Sequence, residues 1–150
     1  MKKLRYILIA AIAFGGLLTS CSGDDQEVIF DQTAADGIVG EYSGEWMRVS
    51  EGDTTLGEGT LSFTKIEGDY LTQVTAVCSS LDINMTSPAN VSHTNIDNYA
   101  FVNNKLENGF EAAFFGRVTS EKTSDIQYSK TVKSGRLSKT YSFSFTGTKN

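Results

Sequence analysis

From residue 38 onward the sequence predicts a single antiparallel all-β domain, and three observations point there. After Gly40, short runs rich in β-branched and aromatic residues alternate with polar ones, the period-two pattern of half-buried strands. Gly, Asn, Asp and Ser interrupt these runs at short intervals, and Pro88 is the one proline among 150 residues. Asn108-Gly109 is a strong two-residue hairpin signal because both residue types accept a positive φ; Gly68-Asp69 and Ser134-Gly135 are weaker versions. Links this short join antiparallel neighbours, so the strands follow one another as an up-and-down meander.

The first strand, Gly40 to Val49, places Tyr42, Gly44, Trp46 and Arg48 on one face and Glu41, Ser43, Glu45 and Met47 on the other. The second, Gly59 to Glu67, turns Leu61 and Phe63 inward, and the third, Tyr70 to Cys78, ends in an apolar run. Leu81, Ile83 and Met85 form the inward row of a fourth strand, Leu81 to Thr86. Ser87 to Asn98 is polar without a clear period and reads as a longer loop. Strands at Tyr99 to Leu106 and Phe110 to Thr119 flank Asn108-Gly109, and strands at Ile126 to Lys133 and Arg136 to Thr148 flank Ser134-Gly135. On the last, Tyr141, Phe143 and Phe145 share the inward face and serines the outer one. Eight antiparallel strands close into a barrel whose interior is either filled by side chains or holds one small ligand. A two-sheet sandwich is the alternative arrangement.

The region before the domain carries an address. Lys2, Lys3 and Arg5 precede an apolar run, Tyr6 to Leu18, that is shorter than the ~20 residues a spanning helix needs. A positive start, an apolar middle and a small-residue end describe a cleaved export signal. Its end, Leu18-Thr19-Ser20-Cys21, resembles the lipobox of bacterial lipoproteins. That resemblance implies removal of residues 1–20 and a lipid on the thiol of Cys21, so the membrane is a partner through that lipid. Residues 21–37 then read as an acidic tether, with a brief helical turn near Asp31 to Asp36. Asp24, Asp25 and Glu27, close behind the anchor, resemble the short acidic signals that send some lipoproteins to the outer face of the outer membrane. The expected location is therefore the outer membrane, lipid-anchored and exposed at the cell surface.

Composition removes several functions. Residues 21–150 hold 10 basic and 18 acidic residues, a formal charge of −8, so a polyanion such as nucleic acid is repelled on average. All acids lie at or before Asp125, while Lys130, Lys133, Arg136, Lys139 and Lys149 follow it; the plainest reading is a solvated hairpin that offsets the acidic remainder. With Cys21 acylated, Cys78 has no disulfide partner and reads as an inert core thiol.

No cofactor, metal or catalytic set is expected. His93 is the only histidine, which rules out a multi-histidine metal site, and it falls in the polar loop, where a solvated side chain is the default reading over a triad member. Glu41 and Glu45 stand ~13 Å apart along a strand, beyond the ~5 to 9.5 Å of glycosidase pairs. Ser62 and Lys65 match a Ser-x-x-Lys pattern, but on a strand they point to opposite faces. Asp82, Asn84 and Thr86 alternate like the start of a calcium loop that lacks its glycine and distant glutamate. Asp53-Thr54-Thr55, placed in the turn between the first two strands, resembles an Asp-Ser/Thr-x sequon for O-glycosylation.

Gly40-Glu41-Tyr42 is similar to the Gly-x-Trp opening of lipocalins, with Tyr in place of Trp. The end, Tyr141 to Gly147, resembles the closing strand of small lipocalin-like, or calycin-like, bacterial lipoproteins. The chain departs from the lipocalin pattern in having no arginine in the closing strand to stack on the first-strand aromatic. The resemblance implies a monomeric barrel over residues 38–150 that binds a small amphipathic or sugar ligand without chemistry. Tyr42, Trp46, Arg48, Phe63, Tyr141 and Phe143 are the candidate ligand-binding residues, with Trp46 stacking on the ligand and Arg48 holding a polar group at a cavity mouth. The alternative is an accessory subunit of an outer-membrane complex, its barrel solid and its outer face used for docking.

Overall fold

A computed structural model describes residues 33–103 and 113–150. The lipobox, Cys21, most of the acidic tether and the Asn108-Gly109 hairpin lie outside the described residues. Within them the chain forms a short helix, α1 (Ala34–Ile38), and eight strands: β1 (Gly40–Ser50), β2 (Asp53–Lys65), β3 (Leu71–Cys78), β4 (Ile83–Asn95), β5 (Asn98–Asn103), β6 (Phe114–Val118), β7 (Thr123–Ser134) and β8 (Leu137–Lys149). Each strand pairs antiparallel with the next and β8 returns to β1, so the predicted up-and-down meander closes into an eight-stranded barrel.

Two stretches differ from the sequence reading. Ser87 to Asn95 continues β4 instead of forming a loop, because Ser87, Ala89 and Val91 face inward while Asn90 and Ser92 face solvent. The alternation is real but its inward members are small, so it carries little hydrophobic signal. Pro88 is tolerated because β5 joins the ladder only from Asn90 opposite Val102, and the Pro88 carbonyl accepts the Asn103 side-chain amide at 2.8 Å instead. Asp53-Thr54-Thr55 lies within β2, opposite Ser50, Val49 and Arg48, and the turn itself is Glu51-Gly52. Both turn residues have positive φ, 52° and 91°, the geometry that matches the twist of a tight hairpin.

The interior is layered with rings. Tyr42 meets Phe63 edge-on at 5.5 Å, Phe63 meets Phe101 at 4.8 Å, and Trp46 lies 5.1 Å from Phe145 and 6.3 Å from Tyr128. Trp46 fits because β2 offers Gly59 beneath it: a Cβ there would stand 2.8 Å from the indole Cδ1. Aromatic contacts of this kind add to the burial of the rings themselves.

One end of the barrel is plugged. Ala34, Ala35 and Ile38 of α1 are fully buried, so the last residues assigned to the tether belong to the core. Thr33 caps the helix, accepting from the Asp36 N–H and donating to its carboxylate, and Lys65 holds the same carboxylate at 2.9 Å. These hydrogen bonds, Thr33 first and Lys65 second, hold the Asp36 carboxyl below its usual range. Tyr42 donates to the Ile38 carbonyl at 3.1 Å, and Lys149 donates to the Val39 carbonyl at 2.6 Å while its ammonium sits 5.9 Å over the Tyr42 ring. A lysine of the closing strand thus stands over the first-strand aromatic.

Burial pushes the Tyr42 hydroxyl up to about 12. The group stays neutral in the folded chain, so its contribution is intact below the ordinary tyrosine value of ~10 and is lost as pH rises through its folded value. At that shift the loss amounts to roughly 2 to 3 kcal/mol. Urea titrations at pH 9 and pH 12 should therefore show lower stability at pH 12 in the wild type, and Tyr42→Phe should remove a measurable part of the difference, the Lys139–Glu51 pair contributing over the same range. An alkaline loss unchanged in Tyr42→Phe would place the effect elsewhere.

Candidate functional site

The end opposite α1 carries the Glu51-Gly52 turn, the β3–β4 connection and the β7–β8 hairpin, whose tip extends past its neighbours. The six candidate residues divide by depth along this axis. Tyr42 and Trp46 are fully buried and Phe63 is 2 % exposed; all three belong to the packed interior. Arg48, Tyr141 and Phe143 come together at the mouth, because barrel closure sets Arg48 opposite Phe143 in the β1–β8 register.

At that mouth Tyr128 and Phe143 stack at 4.7 Å with their planes 9° apart, and Tyr141 follows Phe143 at 6.4 Å. The Arg48 guanidinium lies 5.8 Å from the Tyr141 ring centre and the Lys139 ammonium lies 5.6 Å from it, so the ring sits near two cations. Lys139 is neutralised by Glu51 at 3.1 Å, and that carboxylate raises its pKa above the ordinary lysine value. Arg48 forms no ion pair with any acid among the described residues. A half-buried guanidinium stacked on a tyrosine, with no carboxylate partner among the described residues, can receive an anionic or strongly polar group.

Chemistry beyond recognition finds no assembled set in the described residues. Ser62 and Lys65 both lie on β2, and Lys65 is taken by Asp36. His93 lies on β4, not in a loop, with its ring 4.9 Å from Tyr99. Asp82 follows the single 3-10 turn Ser79–Leu81 with φ 55°, and its N–H bonds the Ser79 carbonyl. Among the described residues no three of His, Cys, Asp and Glu gather as a metal site. Cys78 is a buried free thiol within 3.3 Å of the Ser80 hydroxyl.

A groove of about 640 Å³ lies along the outer wall, lined mainly by outward-facing residues of β1, β6, β7 and β8. A polar hollow of about 300 Å³ at the plugged end is flanked by Asp36, Asp97, Lys122 and Lys149.

Sequence reasoning missed Tyr128, Lys139 and Lys149. Tyr128 follows Ile126 at strand period and was readable as inward; the two lysines were read only as part of a basic tail, since their partners come from β1, the turn after it and the segment before it. No known protein family, curated protein or solved structure matches the chain.

Proposed function

We propose that the chain is a surface-anchored lipoprotein of the outer membrane whose barrel binds a small amphipathic or sugar ligand at its mouth, without catalysis. Anchoring rests on Leu18-Thr19-Ser20-Cys21 and the short apolar run before it. A lipocalin-like origin is supported by the closed eight-stranded meander and by Lys149 over Tyr42 at the plugged end. The observation that carries ligand binding is Arg48, stacked on Tyr141, beside Phe143 and with no carboxylate partner among the described residues.

The full chain, purified in detergent, should bind dodecanoate, an anionic amphiphile, more tightly than dodecanol. Arg48→Ala should weaken dodecanoate by roughly 10- to 100-fold, the value of one charged hydrogen bond, and leave dodecanol unchanged. Equal binding of dodecanoate by both proteins, or none by either, removes the mouth site.

The filled interior favours a second reading, the accessory subunit with a solid barrel. Trp46 is shut off from solvent and Phe63 nearly so, which leaves the middle of the barrel without room for a ligand. In that case the chain migrates in a larger complex after mild extraction, and Arg48→Ala leaves its migration unchanged.

A further inference from the structure

The outer groove has an internal order that follows from strand register. Phe115 on β6 pairs with Gln127 on β7, Gln127 with Ser144 on β8, and Ser144 with Met47 on β1. One step toward the mouth, Ser129 pairs with Ser142, which pairs with Val49. Neighbouring strands lie ~4.8 Å apart, so Phe115 and Met47 stand on either side of a floor about 14 Å across, with the small serines and Gln127 between them. Small side chains between large ones make the hollow. Both walls are open to solvent: Phe115 is 57 % exposed and Met47 38 %.

We propose that this outer-wall groove binds a neutral oligosaccharide. Ser129, Ser142, Ser144 and Gln127 can each donate and accept hydrogen bonds, as every hydroxyl of a polyol does. None of the described residues that line the groove is charged, in a chain whose residues are 21 % charged, so none of them favours an anion or a cation. A hydrocarbon would cover the polar floor without satisfying it. Phe115 supplies a flat apolar face for the C–H side of a sugar ring. Charge is kept to the ends of the row on β7 and β8: toward the plugged end Arg117 pairs with Asp125 at 3.0 Å, and toward the mouth the hydroxyls of Thr131 and Thr140, 3.0 Å apart, separate the groove from Lys133. The groove borders the mouth at Tyr128 and Phe143 and otherwise shares with it only the premise that the protein binds without chemistry.

The test is affinity electrophoresis of the full chain, in a detergent without a sugar headgroup, through gels cast with dextran, mannan or xylan and, separately, with alginate. At least one neutral gel should retard the wild type. Phe115→Ala should weaken that binding by about tenfold and Ser142→Lys should abolish it, both with an unchanged Tm because the side chains are exposed, while Arg48→Ala should be retarded as the wild type is. Passage through all three neutral gels without retardation overturns the proposal, as does retardation that survives both groove variants. Retardation by alginate alone, lost in Arg48→Ala, overturns the groove while leaving the mouth site standing. A concentration-dependent dimer abolished by Phe115→Ala assigns the groove to a second copy of the chain and also overturns it.

Discussion

Replacing Trp46 by Ala is expected to destabilise the domain by about 3 to 5 kcal/mol, a large part of the ~5 to 15 kcal/mol that holds such a domain folded. The indole is fully buried between Phe145 and Tyr128, and Gly59 leaves no neighbouring Cβ to collapse into the space. Its Nε1 is buried without a hydrogen-bond partner among the described residues, so part of the native cost is an unsatisfied donor. Trp46→Phe removes that donor along with some volume and should therefore cost much less than Trp46→Ala. Urea denaturation gives both values, and acrylamide should fail to quench the single tryptophan of the wild type. Ready quenching, with a loss below about 1 kcal/mol in Trp46→Ala, would mean that Trp46 faces an open cavity after all.

The second large effect concerns the anchor. Under the lipoprotein reading, Cys21→Ala leaves the export signal uncut and the chain without lipid, so detergent partitioning and the mass of the mature N-terminus should both change completely. Stable attachment takes more than one acyl chain, because a single chain holds only marginally. Replacing Asp24, Asp25 and Glu27 by neutral residues should leave the lipid in place and shield the domain from protease added to intact cells. Unaltered partitioning in Cys21→Ala defeats the anchor; unaltered protease access after neutralisation defeats only the surface signal.

Strands whose inward rows are large were legible from the sequence. Tyr42 and Trp46 on β1, Leu61 and Phe63 on β2, and Phe143 and Phe145 on β8 announce their faces at period two. The second half of β4 was not, because Ser87 and Ala89 mark the inward face with little hydrophobicity and Pro88 argues for a break. The first hairpin was misplaced because Glu51 adopts a positive φ that its residue type rarely takes. The site was legible by face but not by depth. Period two says that Trp46 and Arg48 point the same way; it does not say that Trp46 lies mid-barrel while Arg48 reaches the mouth. That distinction needs the β1–β8 register, a contact across the whole domain.

That register also governs how the chain reaches its native state. Tyr42 faces Lys149 and Trp46 faces Phe145, pairings between the first strand and the last that no local hairpin helps to form. A topology that depends on such distant pairs folds slowly for its size, because loop-closure entropy must be met before those contacts form. Until β8 arrives, β1 is an open strand edge with Trp46 turned toward water, a state prone to pair with other chains. Closure of the barrel and burial of Trp46 are consequently one event, and in stopped-flow refolding the slowest rise in protection of the lone indole reports the moment at which the ring of strands is joined.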